Sequence, residues 1–166
     1  MGRWVDGEMG RFGHCIGLTH TQRYHAHYHT AGEGPVYQGR LKSFPVQDDE
    51  HFLRVARYVE RNAYSAGLCE RPEAWQWGSL HHWSHGSAVA RKRLSGWPVR
   101  RHPNWTEQVA TAFSDKQRER LQWSIRRGVP FGDEGWTEYV ARVFNLESTM
   151  RPRGRPRKRP GPTDAK

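Results

Sequence analysis

Between Asp48 and Ala63 the sequence DDEHFLRVARYVERNA has one regular structure open to it. It contains neither Gly nor Pro, and on a helix Phe52, Val55, Ala56, Val59 and Ala63 fall within about one third of the circumference, the width of a stripe that packs on a core. Asp48 is suited to cap the N-terminus. A helix with such a stripe must be covered on that side, so the rest of the chain is expected to fold around it. Tyr58 stands outside the stripe. At 100° per residue it lies roughly 120° from Phe52, with Arg54 and Arg61 to one side and Asn62 to the other, so it borders the core instead of filling it.

The surrounding segments are less regular. Glycines at positions 2, 7, 10, 13 and 17 give Met1 to Leu18 no clear assignment, since each costs about 1 kcal/mol against Ala in a helix. Thr19 to His29 has better helix formers, and Gly32, Gly34 and Pro35 supply a stop. Val36 to Phe44, bounded by Gly-Pro and Pro45, reads as a strand. Trp75, Trp77, Trp83, Trp97 and Trp105 lie among Pro, Gly, Ser and His, an irregular stretch anchored by large rings. Ser114 with Gln117 forms a capping box ahead of Leu121 and Ile125, and Arg126, Arg127 and Gly128 close that helix. Asp133 opens another, with Trp136, Val140, Val143 and Phe144 on one face. The pair reads as a helical hairpin in preference to a DNA-reading helix-turn-helix.

Near Met150 apolar residues stop, and Arg and Pro take over. The whole chain has 27 Lys and Arg against 17 Asp and Glu, a formal charge of +10, and residues 151–166 hold seven of those cations against a single acid. Such an excess favours a polyanionic partner, nucleic acid first. The tail is expected to be disordered until bound. Its Arg153-Gly154-Arg155-Pro156 core, followed by Arg157 and Lys158, resembles an AT-hook: Gly leaves room for the backbone in a narrow A·T minor groove, and an Arg runs along the groove on each side. Cys15 and Cys69 form no disulfide framework or zinc spacing. With no apolar run of membrane-spanning length and no apolar signal core, the expectation is a soluble, cytoplasmic, nucleoid-associated protein without a membrane partner.

One block carries a more specific signal. GPVYQGRLKSFPVQDDEHFLRVARYVERNAYSAGL, Gly34 to Leu68, resembles the central region of REP-associated tyrosine transposases: a Q-G-R-x-K-S-x-P-V strand, an acidic turn, then R-Y-V-E-x-N and A-G-L. The resemblance continues through EAWQWGSL, RRGVPFGDEGW and the closing RPRGRPRK. It implies a single-strand nuclease of the HUH class, acting on DNA with short palindromic hairpins. In that family a tyrosine attacks the scissile phosphate, leaving a 5′-phosphotyrosine and a free 3′-hydroxyl. The matching residue is Tyr58, whose phenolate is a fair leaving group, so strand transfer can run in either direction.

The resemblance also implies a divalent Mg or Mn ion that polarises the phosphate, held by two histidines at i and i+2 on a strand, with Asn62, one turn after Tyr58, completing the site. This chain does not contain that His-x-His strand; the family places it upstream of the first residues here, which implies an N-terminally truncated or decayed gene that would not bind the ion alone. His25-Ala26-His27 is a poor substitute, because on a helix such side chains diverge by about 200°. Arg40, Lys42, Arg54, Arg57 and Arg61 are candidates for DNA phosphates, together with Arg153, Gly154, Arg155, Arg157 and Lys158 in the tail.

The implied fold is α+β: an incomplete ferredoxin-like HUH-type domain, a helical C-terminal region and a disordered basic tail. The divisions are residues 1–70 for the catalytic part, 71–150 for the Trp-rich connector and helical hairpin, and 151–166 for the tail. An open sheet edge would favour pairing of two copies as a homodimer. Two rival readings remain: a non-catalytic DNA-binding remnant, and an RNA-binding accessory protein whose tryptophans stack bases.

Overall fold

In a computed structural model, residues 8–37 and 42–151 are described. They form eight helices: α1 (Glu8–Tyr28), α2 (Glu50–Ser65), α3 (Ser79–His85), α4 (Ala88–Lys92), α5 (Trp105–Ala110), α6 (Asp115–Arg127), α7 (Glu134–Val143) and α8 (Glu147–Met150), with a short 3₁₀ turn at Pro72–Ala74. The chain divides into two units, Met1–Ser43 and Phe44–Lys166.

The α+β, ferredoxin-like expectation is overturned, because the described residues are 60% helical and contain no sheet. Residues 38–41 of the expected strand lie outside the described residues; of its remainder, Val36 and Tyr37 sit in a bend and Lys42 to Phe44 in irregular chain. The only β pairing among the described residues is an isolated parallel bridge between Val46 and Phe131. Gln47 N–H donates to the Phe131 carbonyl at 3.0 Å, and Phe131 N–H donates to that of Pro45 at 2.8 Å. Strand propensity becomes a strand only when neighbouring backbone supplies a ladder, and here two hydrogen bonds exhaust it.

In the first unit, α1 runs unbroken through Gly10, Gly13 and Gly17, longer than the helix expected from Thr19. It ends where His29 takes a left-handed φ of 54° and Gly32 one of 97°. Its Phe12, Ile16 and Tyr28 side chains are exposed. The His20 ring bonds the Tyr37 hydroxyl at 2.8 Å.

The second unit is built on α2. Asp49, one residue later than expected, caps it by accepting the His51 N–H at 2.7 Å. Burial raises the pKa of this carboxyl, but the bonds from His51 and the charge of Arg54 outweigh that and hold it below its ordinary value. The inward face follows the expected stripe only in part: Phe52 and Ala56 pack against the core. Leu53 and Glu60 are the buried residues of α2, whereas Val59 is 59% exposed. The difference lies with Glu60. Its Oε1 accepts the Ser79 hydroxyl and its Oε2 the Trp105 indole N–H, each at 2.6 Å. A carboxylate so satisfied can occupy an inner position, which rotates the helix away from the face that apolar residues alone would choose.

Around that carboxylate Leu53, Leu80, Trp105 and Val109 form the core, with Phe52, Ala56, Trp97 and Val99 packed against it. The Trp97 ring meets Phe52 and Trp105 edge-on at 5.5 and 5.1 Å. Arg101 lies 4.0 Å over Trp97 and 4.6 Å over Trp83, so part of the Trp-rich stretch is an ordered aromatic corner. Burial lowers the pKa of Arg101, and the charge of Glu60 acts in the opposite direction.

Both helices of the expected hairpin form, but α6 and α7 make no extended packing contact with one another, so the hairpin itself is not formed. The Ser114–Gln117 capping box is made in both directions, and Gly128, at φ 73°, ends α6 in the left-handed region. Val140 and Ala141 are the buried residues of α7, while Val143 and Phe144 stay exposed. Gly132 is required by close approach, since a Cβ there would overlap the Trp136 ring and the Gln47 side chain. Gln47 accepts the Asp133 N–H and donates to the Asp133 carboxylate, both at 2.8 Å.

Glu60→Ala would strand a buried indole N–H and a hydroxyl, each previously bonded to a charged acceptor. It is expected to destabilise the protein by about 3 kcal/mol in urea unfolding, and Glu60→Gln by about half as much, because one carbonyl acceptor survives. An unchanged midpoint in Glu60→Ala would refute the role assigned to this carboxylate.

Candidate functional site

The polar and charged residues of α2 distribute over three faces. Glu60 points inward as described. Arg57 and Arg61 point along a second face toward the end of α5, where the helix leaves carbonyls without intrahelical partners. One Arg57 terminal nitrogen donates to the carbonyls of Thr111 and Ala112, both at 3.2 Å. One Arg61 terminal nitrogen donates to the Val109 carbonyl at 2.9 Å and also to that of Ala110. The two cations therefore cap the negative end of the α5 dipole. Arg57 also stacks on Phe113 at 4.1 Å, and Arg61 on Tyr64 at 4.9 Å. Burial, then the neighbouring charge of Arg61, lowers the pKa of Arg57.

The third face carries Arg54, Tyr58 and Asn62 at successive i, i+4 positions. Asn62 is exposed, and Tyr58 is half-buried with its ring edge-on to Phe113 at 6.1 Å. Phe113 and Arg54 also line a hollow of about 320 Å³ whose other walls include Lys116, Arg120, Leu121 and Phe131. Tyr58 thus stands beside a cation-lined recess, a neighbourhood that helical spacing alone could not reveal because Phe113, Lys116 and Arg120 come from α6 and the loop before it.

The donor set for a divalent ion does not fit. His25 and His27 lie on α1, where i and i+2 side chains diverge, and the His25 ring bonds the Thr30 hydroxyl at 2.8 Å. Among the described residues no three His, Cys, Asp or Glu side chains are grouped as metal ligands would be. Asn62 is therefore left without companions for that role, and no chemical step is assigned to an ion.

Lys42 is exposed. Arg40 and the tail candidates Arg153, Gly154, Arg155, Arg157 and Lys158 lie outside the described residues. No helix among the described residues is long and apolar enough to cross a membrane.

No protein-family model, curated protein or solved structure matches the chain. The geometry separates the arginines of α2 into two kinds. Arg61→Ala removes a helix-end partner and is expected to lower stability by about 1–2 kcal/mol. Arg54→Ala, at the edge of the hollow, is expected to stay within about 0.5 kcal/mol of wild type. Equal urea midpoints for the two variants would contradict the division.

Proposed function

We propose that this chain is a DNA-binding protein related to REP-associated tyrosine transposases, and that it engages DNA through its basic tail and the outward face of α2 without breaking the strand by itself. The observation that carries this reading is uncompensated charge. The described residues include 19 Lys and Arg and 15 Asp and Glu, and among them only Arg71–Glu73 and Arg118–Asp115 pair a Lys or Arg with a carboxylate within 4 Å. Cations without carboxylate partners, other than Arg57, Arg61, Arg120 and Arg127, whose donors meet backbone carbonyls, are available to phosphates and release counterions when they bind them.

The basic tail supports the same reading. Its Arg-Gly-Arg-Pro core fits a narrow minor groove, where the missing Gly side chain allows close approach. Arg57 and Arg61 contribute less than their position on a basic helix implies, because α5 already occupies their donors. Arg54 is the better phosphate contact on α2.

A second reading, strand cleavage with Tyr58 as nucleophile, is favoured by the placement of Tyr58 beside the cationic hollow and one turn from Asn62. The two readings separate in one assay. With a single-stranded hairpin oligonucleotide and Mn²⁺, the full chain is expected to form no covalent adduct on a denaturing gel, and Tyr58→Phe is expected to bind the hairpin within about twofold of wild type, since no phosphate charge is lost. An adduct that disappears in Tyr58→Phe would establish the cleavage reading instead.

The tail is tested separately with A·T-rich and G·C-rich duplexes. Removal of residues 151–166 is expected to reduce the salt slope of log K by several units, each neutralised phosphate contributing about 0.9. Gly154→Val is expected to keep the slope and lose the A·T preference. An unchanged slope after tail removal would contradict the tail's part in binding.

A further inference from the structure

We propose that His81 and His85, one helical turn apart on α3, form a two-point site for a late first-row divalent ion, Zn²⁺ in the first instance. The site does not draw on the DNA-binding reading above, and its ion differs in class from the Mg or Mn that the family resemblance implies.

The sequence of α3 is SLHHWSH. Residues at i and i+4 lie over one another on a helix, so His81 and His85 share a face, whereas His82 is turned about 100° from His81. The His81 and His85 rings are tilted by 35° with their centroids 5.2 Å apart. That separation suits chelation. Zn–N bonds of about 2.0–2.1 Å, extended by about 1.1 Å from each nitrogen to its ring centre, put two imidazole centroids about 5 Å apart at a tetrahedral angle. Two histidines at i and i+4 are also the pair by which a helix grips zinc in metalloprotease sites.

One of the two donors is set in advance. The His81 Nδ1 lies 2.8 Å from the Glu73 carbonyl, and because a carbonyl only accepts, that nitrogen carries the hydrogen. The lone pair of the neutral ring is then on Nε2, the atom left for an ion, and the bond to a backbone carbonyl orients the ring as it does in metal-ligating histidines. Glu73 belongs to the 3₁₀ turn Pro72–Ala74, against which α3 packs. His85 is exposed at the end of the helix and pairs with no carboxylate among the described residues.

Two imidazoles also select the ion. Imidazole suits Zn, Cu and Ni, whereas Mg takes oxygen ligands. Among the described residues no third ligand joins the pair, so water takes the remaining positions and the site braces the fold without a catalytic step. Ligation at positions 81 and 85 closes the last turn of a seven-residue helix, too short to be stable alone, and adds positive charge at the end of the helix where the dipole favours it. Ser79 at the start of the same helix donates to Glu60, so an ion here steadies the element that carries one of the two donors to that carboxylate.

The test uses the full chain, stripped with a chelator and titrated with Zn²⁺ in excess Mg²⁺, and reads the thermal midpoint and the proton–nitrogen spectra of the imidazoles. Zn²⁺ is expected to raise the midpoint by a few degrees and to shift the His81 Nε2 and a His85 ring nitrogen, while the His81 Nδ1 stays protonated. His85→Ala, at an exposed position, is expected to keep the metal-free midpoint, to weaken zinc binding about tenfold or more and to lose the rise. His82→Ala is expected to bind zinc within about threefold of wild type, since its ring faces elsewhere. His25→Ala with His27→Ala, on α1, is expected to leave the rise intact. A rise that survives His85→Ala, displacement of Zn²⁺ by Mg²⁺, or the absence of zinc-dependent shifts at His81 and His85 would overturn the site.

Discussion

The carboxylate of Glu60, accepting one hydrogen bond from Ser79 and another from the Trp105 indole, is the interaction on which the second unit depends. It joins the middle of α2 to the start of α3 and to α5, at the centre of a small apolar core. A buried carboxylate without partners would be strongly unfavourable, so the geometry of all three elements is specified together. Ser79 and Trp105 must approach from two directions, and the loop through Trp97 and Arg101 closes over the same corner.

That anchoring sets the orientation of the rest of α2. With Glu60 inward, Arg57 and Arg61 meet the C-terminal carbonyls of α5, and Arg54, Tyr58 and Asn62 are carried outward. One helix thereby supplies a core carboxylate, a pair of capping cations and a row of polar and aromatic groups beside a recess. The arrangement also explains why a strongly basic helix need not present all of its arginines to DNA. Charge on the page of a sequence is a poor guide to available charge when helix ends nearby need partners.

Features that rest on local rules were legible in the sequence. Ser114 with Gln117 and the left-handed Gly128 delimit α6 because capping depends on residues within one turn. The α2 helix itself was legible from its spacing, but its orientation was not. Counting apolar residues put Val59 inside and said nothing of Glu60, since the two groups that satisfy that carboxylate lie 19 and 45 residues away. The glycines that obscured α1 do not interrupt it, a case of chain context overriding a cost of about 1 kcal/mol per residue. The strand expected after Gly34 reflected local propensity and a family resemblance, and neither provides a partner strand. The hollow beside Tyr58 was likewise invisible, because its walls come from positions more than fifty residues apart.

The central claim is that α2 divides its labour, with inner residues holding the fold and outer ones left free for the nucleic acid proposed as its partner. Amide hydrogen exchange of the full chain, free and with a single-stranded oligonucleotide, tests it most directly. The account predicts that α2 and α5 are among the slowest-exchanging segments without DNA, and that DNA adds protection at the start of α6 and around Phe131, the walls of the recess beside Arg54, while leaving α5 unchanged. Rapid exchange of α2 and α5 in the free chain, or DNA-induced protection confined to segments away from α6 and Phe131, would contradict it.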